Sequence, residues 1–131
     1  MRIKCVNYDR SSEVSEIHNI RLAYEEDTKL FCFIFLTTDG RIGIIPSYLE
    51  DNSKLNNILN TILKDGYYDF HNELFATVDW VLPNRDLLDD LSYNVQHEEY
   101  SDEYLDEYFD EYIDEEFGNN IISFPIKNTE T

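Results

Sequence analysis

The stretch Asp102-Glu-Tyr-Leu105, Asp106-Glu-Tyr-Phe109, Asp110-Glu-Tyr-Ile113, Asp114-Glu-Glu-Phe117 repeats with a period of four. An α-helix advances about 100° per residue, so each tetrad repeats its pattern with a drift of about 40°. On such a helix Leu105, Phe109, Ile113 and Phe117 form one slowly winding apolar stripe. Tyr100, Tyr104, Tyr108 and Tyr112 flank it on one side. Asp102, Asp106, Asp110 and Asp114 flank it on the other, and Glu103, Glu107, Glu111 and Glu115 lie opposite. A strand fits poorly, because a period of two would mix Asp with Tyr on one face and Glu with the aliphatic residues on the other. The helix cannot stand alone. Each like-charge pair at i, i+4 opposes it by roughly 0.2–0.5 kcal/mol, and the segment contains no Lys or Arg to compensate. Carboxylates near its C-terminal end also oppose the helix dipole. The apolar stripe therefore needs a platform: the rest of the chain, a second copy, or a partner.

Working outward, the charge is uneven. Residues 1–85 hold 13 acidic and 9 basic side chains, whereas residues 86–126 hold 14 acidic and none that are basic. The chain as a whole carries a formal charge of −18. Nucleic-acid binding needs the opposite sign, since phosphate contacts come from Lys and Arg. An anionic membrane surface is disfavoured for the same reason. Such a field favours cationic protein surfaces or metal ions. At 131 residues, with 42% hydrophobic and 15% aromatic content, the chain has the material for one domain with a true core.

The first part reads as a small α+β unit. Residues 1–8 alternate as a first strand, with Ile3, Cys5 and Asn7 on one side and Arg2, Lys4 and Val6 on the other. Residues 11–16 are polar and read as a loop, and residues 18–24 as a second strand through Ile20, Leu22 and Tyr24. The continuous apolar run from Leu30 to Leu36 suits a central strand covered on both faces. Thr38-Asp39-Gly40-Arg41 is a hairpin signal, because Asp-Gly supplies the positive φ angles that tight turns need. Residues 42–46 return as the next strand. Leu55, Ile58, Leu59, Ile62 and Leu63 make the stripe of a helix over about 52–65. Asp51, Asn52 or Ser53 can cap its start, and Gly66 marks its end. Residues 74–82 read as a strand closed by Pro83, a helix restarts at residues 84–93, and residues 121–126 form a last strand.

The expected fold is therefore α+β: a small, mostly antiparallel sheet, the helix at 52–65, and a long acidic C-terminal helix over about 85–117 packed on it. All 131 residues form a single domain, with an α+β unit at 1–83, an acidic helical segment at 84–117, and a short strand and tail at 118–131. Cys5 and Cys32 both sit in apolar strand-like runs and read as buried thiols. No apolar run reaches the roughly 18 residues of a membrane span, and the N-terminus lacks a signal-peptide hydrophobic region, so a soluble, cytoplasmic protein is expected.

Catalytic patterns are missing from the sequence. His18, His71 and His97 are scattered, with no metal-ligand spacing. The tetrads lack the Asp-x-Asp-x-Asp-Gly loop of a calcium site. The exposed acid pairs offer no reason for one pKa to separate from its neighbour, as acid/base catalysis requires. Neither a phosphate loop nor a nucleophile elbow is present. The expectation is a non-enzyme with no metal and no cofactor.

The candidate binding residues are Glu99, Tyr100, Asp102, Glu103, Tyr104, Asp106, Glu107, Tyr108, Asp110, Glu111, Tyr112, Asp114 and Glu115. Two carboxylates per tetrad give one charge per ~3 Å of helix. One DNA strand carries one per roughly 3.4 Å. Tyrosine adds flat contact area and stacks with Arg. In size, charge and charge clustering the chain resembles the small acidic inhibitor proteins, among them phage anti-CRISPR and anti-restriction proteins that mimic DNA. That resemblance implies a basic nucleic-acid-binding partner, such as a nuclease or CRISPR effector, and no direct contact with nucleic acid or membrane. Three alternatives share the profile: an immunity protein for a nuclease toxin, an acidic chaperone of histone-like proteins, and a homodimer built through the stripe.

Overall fold

The computed structural model describes residues 1–81 and 102–123. Its organising element is a long strand, β2 (Ser12–Glu25), which is shared by two halves of a curled sheet. The first half of β2 pairs antiparallel with β1 (Arg2–Val6), which in turn pairs parallel with β5 (Tyr67–Phe70). The second half pairs with β3 (Leu30–Thr37), followed by β4 (Ile42–Pro46) and the short β6 (Asp79–Trp80), all antiparallel. The last strand among the described residues, β7 (Ile121–Ser123), pairs with β2 at Leu22 and Ala23, beyond the end of β1.

A bulge lies where the two halves of β2 meet, since Ile17 faces Thr37 while Asn19 faces Leu36. The extra residue is His18. It shifts the alternation by one, so that Ile17, Ile20 and Leu22 all reach the same core. Without it, Ile17 and Ile20 would point to opposite faces.

Two cores result. Inside the curl, Ile3, Cys5, Phe33, Phe35, Phe70 and Phe75 pack with Leu55, Leu59 and Ile62 of α1 (Asn52–Asp65). Asp51 caps α1 by accepting from the amides of Ser53 and Lys54, and Gly66 ends it at φ 75°. On the outer face, Ala23, Cys32, Ile34, Leu36, Ile42 and Ile44 meet the acidic helix, α2 (Asp102–Glu116). β3 is thus covered on both sides, as its unbroken apolar run requires. Cys5 and Cys32 are free, buried thiols that belong to opposite cores.

The sheet curls far enough for the β6 region, at one edge, to reach the end of β1. The Val78 amide donates to the Val6 carbonyl at 2.9 Å, and the Trp80 indole Nε1 donates to the Asn7 side-chain oxygen at 3.1 Å. The β3–β4 turn places a positive φ only on Gly40, at 91°. Asp39 instead accepts from the Thr37 hydroxyl and from Arg41 Nε.

Several sequence expectations need correction. Residues 12–16 are strand, because their polar side chains lie along β1 with only Ser15 turned into the core. β5 went unassigned, because its four residues gain strand structure by pairing with β1. Residues 74–82 do not form one continuous strand. Phe75 makes a lone bridge to Ser47, Ala76 donates to Pro46, Val78 turns to Val6, and regular pairing resumes only at Asp79. The expected helices over 84–93 and 85–101, the remainder of the strand at 124–126 and the tail lie wholly or mainly outside the described residues. The described acidic helix is 15 residues long. Among the described residues no helix is long and apolar enough to cross a membrane.

Candidate functional site

The apolar stripe of α2 lies against the sheet. Leu105, Phe109, Ile113 and Phe117 are all buried, in the face expected from the period of four. Tyrosine follows the stripe inward. Tyr108 is only 5% exposed, and Tyr104 and Tyr112 are half-buried against the same core. The sequence offers the tyrosines both as partner contacts and as partly core-packed residues, and the structure packs these three at least partly into the core. Burial, aided by the nearby Glu116 carboxylate, pushes the Tyr112 hydroxyl up to about 12.

The two acidic rows differ. The aspartate row runs beside β2, where Asp106 lies 2.7 Å from His18 Nε2 and Asp110 lies 2.6 Å from Arg21 Nη2. The Arg21 guanidinium carbon also sits 5.2 Å from the centre of the Phe109 ring. The bulge brings His18 and Arg21 to the outer face together, so one irregularity serves both cores. The glutamate row, Glu103, Glu107, Glu111 and Glu115, is exposed and makes no ion pair among the described residues. Asp114 and Glu116 are likewise exposed. Glu99 and Tyr100 lie outside the described residues, and Asp102 begins the helix.

Sequence reasoning missed one part of this surface. The β2–β3 turn carries Glu25, Glu26 and Asp27, which border a notch of about 220 Å³ with Glu116, Tyr24 and Tyr112. The run of three acids was visible in the sequence, but its position beside the end of α2 follows from sheet register. Lys29, at φ 60°, completes the turn, and the Thr28 hydroxyl donates to Glu25.

Among the described residues no cluster of three or more His, Cys, Asp or Glu is arranged to hold a metal ion. The Cys5 and Cys32 thiols are held at about 11 and about 12 by burial, with Glu13 and Glu25 respectively adding to it, so neither is a ready nucleophile. The arrangement is one of presentation: fixed carboxylates on a helix whose back is anchored. The chain matches no family model, no curated protein and no solved structure.

Proposed function

We propose that this protein is a stoichiometric inhibitor that uses the outer face of α2 to occupy a basic nucleic-acid-binding groove on a nuclease or defence effector. The observation that carries the reading is the split between the two sides of α2. Its apolar stripe is buried in the chain's own sheet, while an unbroken row of glutamates is held outward. A helix backbone already held by the sheet needs no ordering on binding, which lowers the entropic cost of association. The acids of the β2–β3 turn add negative charge beside Glu116 at the end of the helix. An N-terminal continuation of the helix toward residue 85 would bring Glu99 and Tyr100 into line with it, and belongs to the proposal. Dimerisation through the stripe does not, because the stripe already has a partner within the chain.

Affinity capture tests the reading with two baits: the intact protein and a variant carrying Gln at Glu103, Glu107, Glu111 and Glu115. The intact bait should retain a nucleic-acid-processing protein that duplex DNA displaces, and binding should weaken with salt. Equal retention by both baits, or indifference to competing DNA, would sink the mimicry.

A further inference from the structure

The half of the outer sheet face that α2 does not occupy has the opposite character. β1 turns Ile3 and Cys5 inward, so Lys4 and Val6 face out beside Ser12 of β2 and Asp69 of β5. Together with the β1–β2 turn and the segment after β5, they border a cleft of about 470 Å³. That is within the usual range for a small-molecule site.

Three cationic or proton-bearing groups from three separate places converge on it: Lys4 from β1, Arg10 from the turn, and His71 from just beyond β5. The chain has 10 Lys and Arg against 28 Asp and Glu, so unneutralised cations are scarce. Yet none of these three makes an ion pair among the described residues. Ser12, Asn72 and Thr77 add neutral hydrogen-bonding groups, and Asp69 is the single carboxylate on the rim among the described residues. Arg10 also occupies left-handed backbone, at φ 67°, which costs a non-glycine residue energy. Asp9 holds the turn by accepting from the Ser11 amide at 2.9 Å and from the Ser11 hydroxyl.

We propose that this cleft binds a small phosphomonoester. A phosphate presents three terminal oxygens, enough acceptors for a forked guanidinium, an ammonium and several neutral donors at once. A lone carboxylate would leave much of that donor set unused. The cleft volume leaves room for an organic group beyond the phosphate.

The test is a heteronuclear NMR titration of the full chain with inorganic phosphate, phenyl phosphate and potassium acetate, at matched ionic strength. The variant is Arg10→Asn, since Asn removes the charge and tolerates positive φ. Lys54→Gln, on the exposed side of α1, is the control. Phenyl phosphate should produce saturable shifts at Ser12, His71, Asn72 and Thr77. Arg10→Asn should weaken binding by about tenfold or more, the worth of a charge-assisted hydrogen bond, and Lys54→Gln should leave it unchanged. Non-saturating shifts, shifts centred elsewhere, or an unaffected Arg10→Asn would overturn the site. Acetate saturating as readily as phosphate would overturn the ligand class.

Discussion

Arg21 shows how much can rest on one side chain. It is 8% exposed, lies against Phe109 and contacts Asp110, whose side chain is 56% exposed. The two ends of this pair should therefore respond differently to removal. Arg21→Ala loses the packing of the stem, the ring contact and the ion pair, and should cost about 2–3 kcal/mol. Asp110→Asn keeps an acceptor at a mostly solvated position and should cost about 1 kcal/mol or less. Urea denaturation of both variants measures the difference, and equal small costs would mean that Arg21 does not anchor α2. The pair also marks a limit of sequence reading. Both residues are plain in the sequence, but 89 positions separate them, and only the bulge at His18 brings Arg21 under the helix.

Among the elements, α2 and β3 were the most legible, because each has a periodicity with one physical solution. Four-residue spacing of Leu105, Phe109 and Ile113 sets them apart as one stripe on a helix, whereas a strand would mix them with Glu103, Glu107 and Glu111 on one face. A run such as Phe33-Ile34-Phe35 demands cover on both sides. β5 and the first half of β2 were illegible for the converse reason: their residues are polar or mixed, and β1 makes them strands. The acid positions of the candidate site were readable, but the turn acids Glu25, Glu26 and Asp27 were not assigned to it, since that depends on tertiary register. The helix also carries a testable tension. Its glutamate row stacks like charges at i, i+4 without a neutralising partner among the described residues. Replacing Glu103, Glu107, Glu111 and Glu115 with Gln should raise stability by about 0.5–1.5 kcal/mol at low salt, and less at high salt. Thermal melts at two ionic strengths check this. A loss of stability would mean that the glutamates hold the fold together, and the charge-neutral bait would then report on folding as well as binding.

For the whole molecule, the alkaline limit of stability follows from its two cores. Cys5 belongs to one, and Cys32 and Tyr112 to the other. Burial raises their folded values to about 11, about 12 and about 12, from ordinary values of 9.0, 9.0 and 10.0. Below about pH 9 all three are protonated in both states, and the stability linked to them is fully present. Above it the unfolded chain releases these protons first, so stability falls as pH rises toward the folded values. Urea midpoints measured from pH 8 to 11 should decline steadily. A flat profile would show that these groups ionise as easily in the native protein as in the unfolded chain.

The contact between the β6 region and the end of β1 has a kinetic consequence. Trp80 and Asn7 are 73 residues apart in sequence, and Val78 meets Val6 over a similar span. The hairpin of β3 and β4 can form early from neighbouring residues, whereas this seam repays its loop-closure entropy only after the strands between are in place. The seam should therefore be late in the order of assembly. Substitutions at Asn7 or Val78 would then act mainly on the rate of unfolding and leave the rate of folding nearly untouched. A sheet rolled in this way has a clasp, and its hold sets how long the folded chain lasts more than how fast it is made.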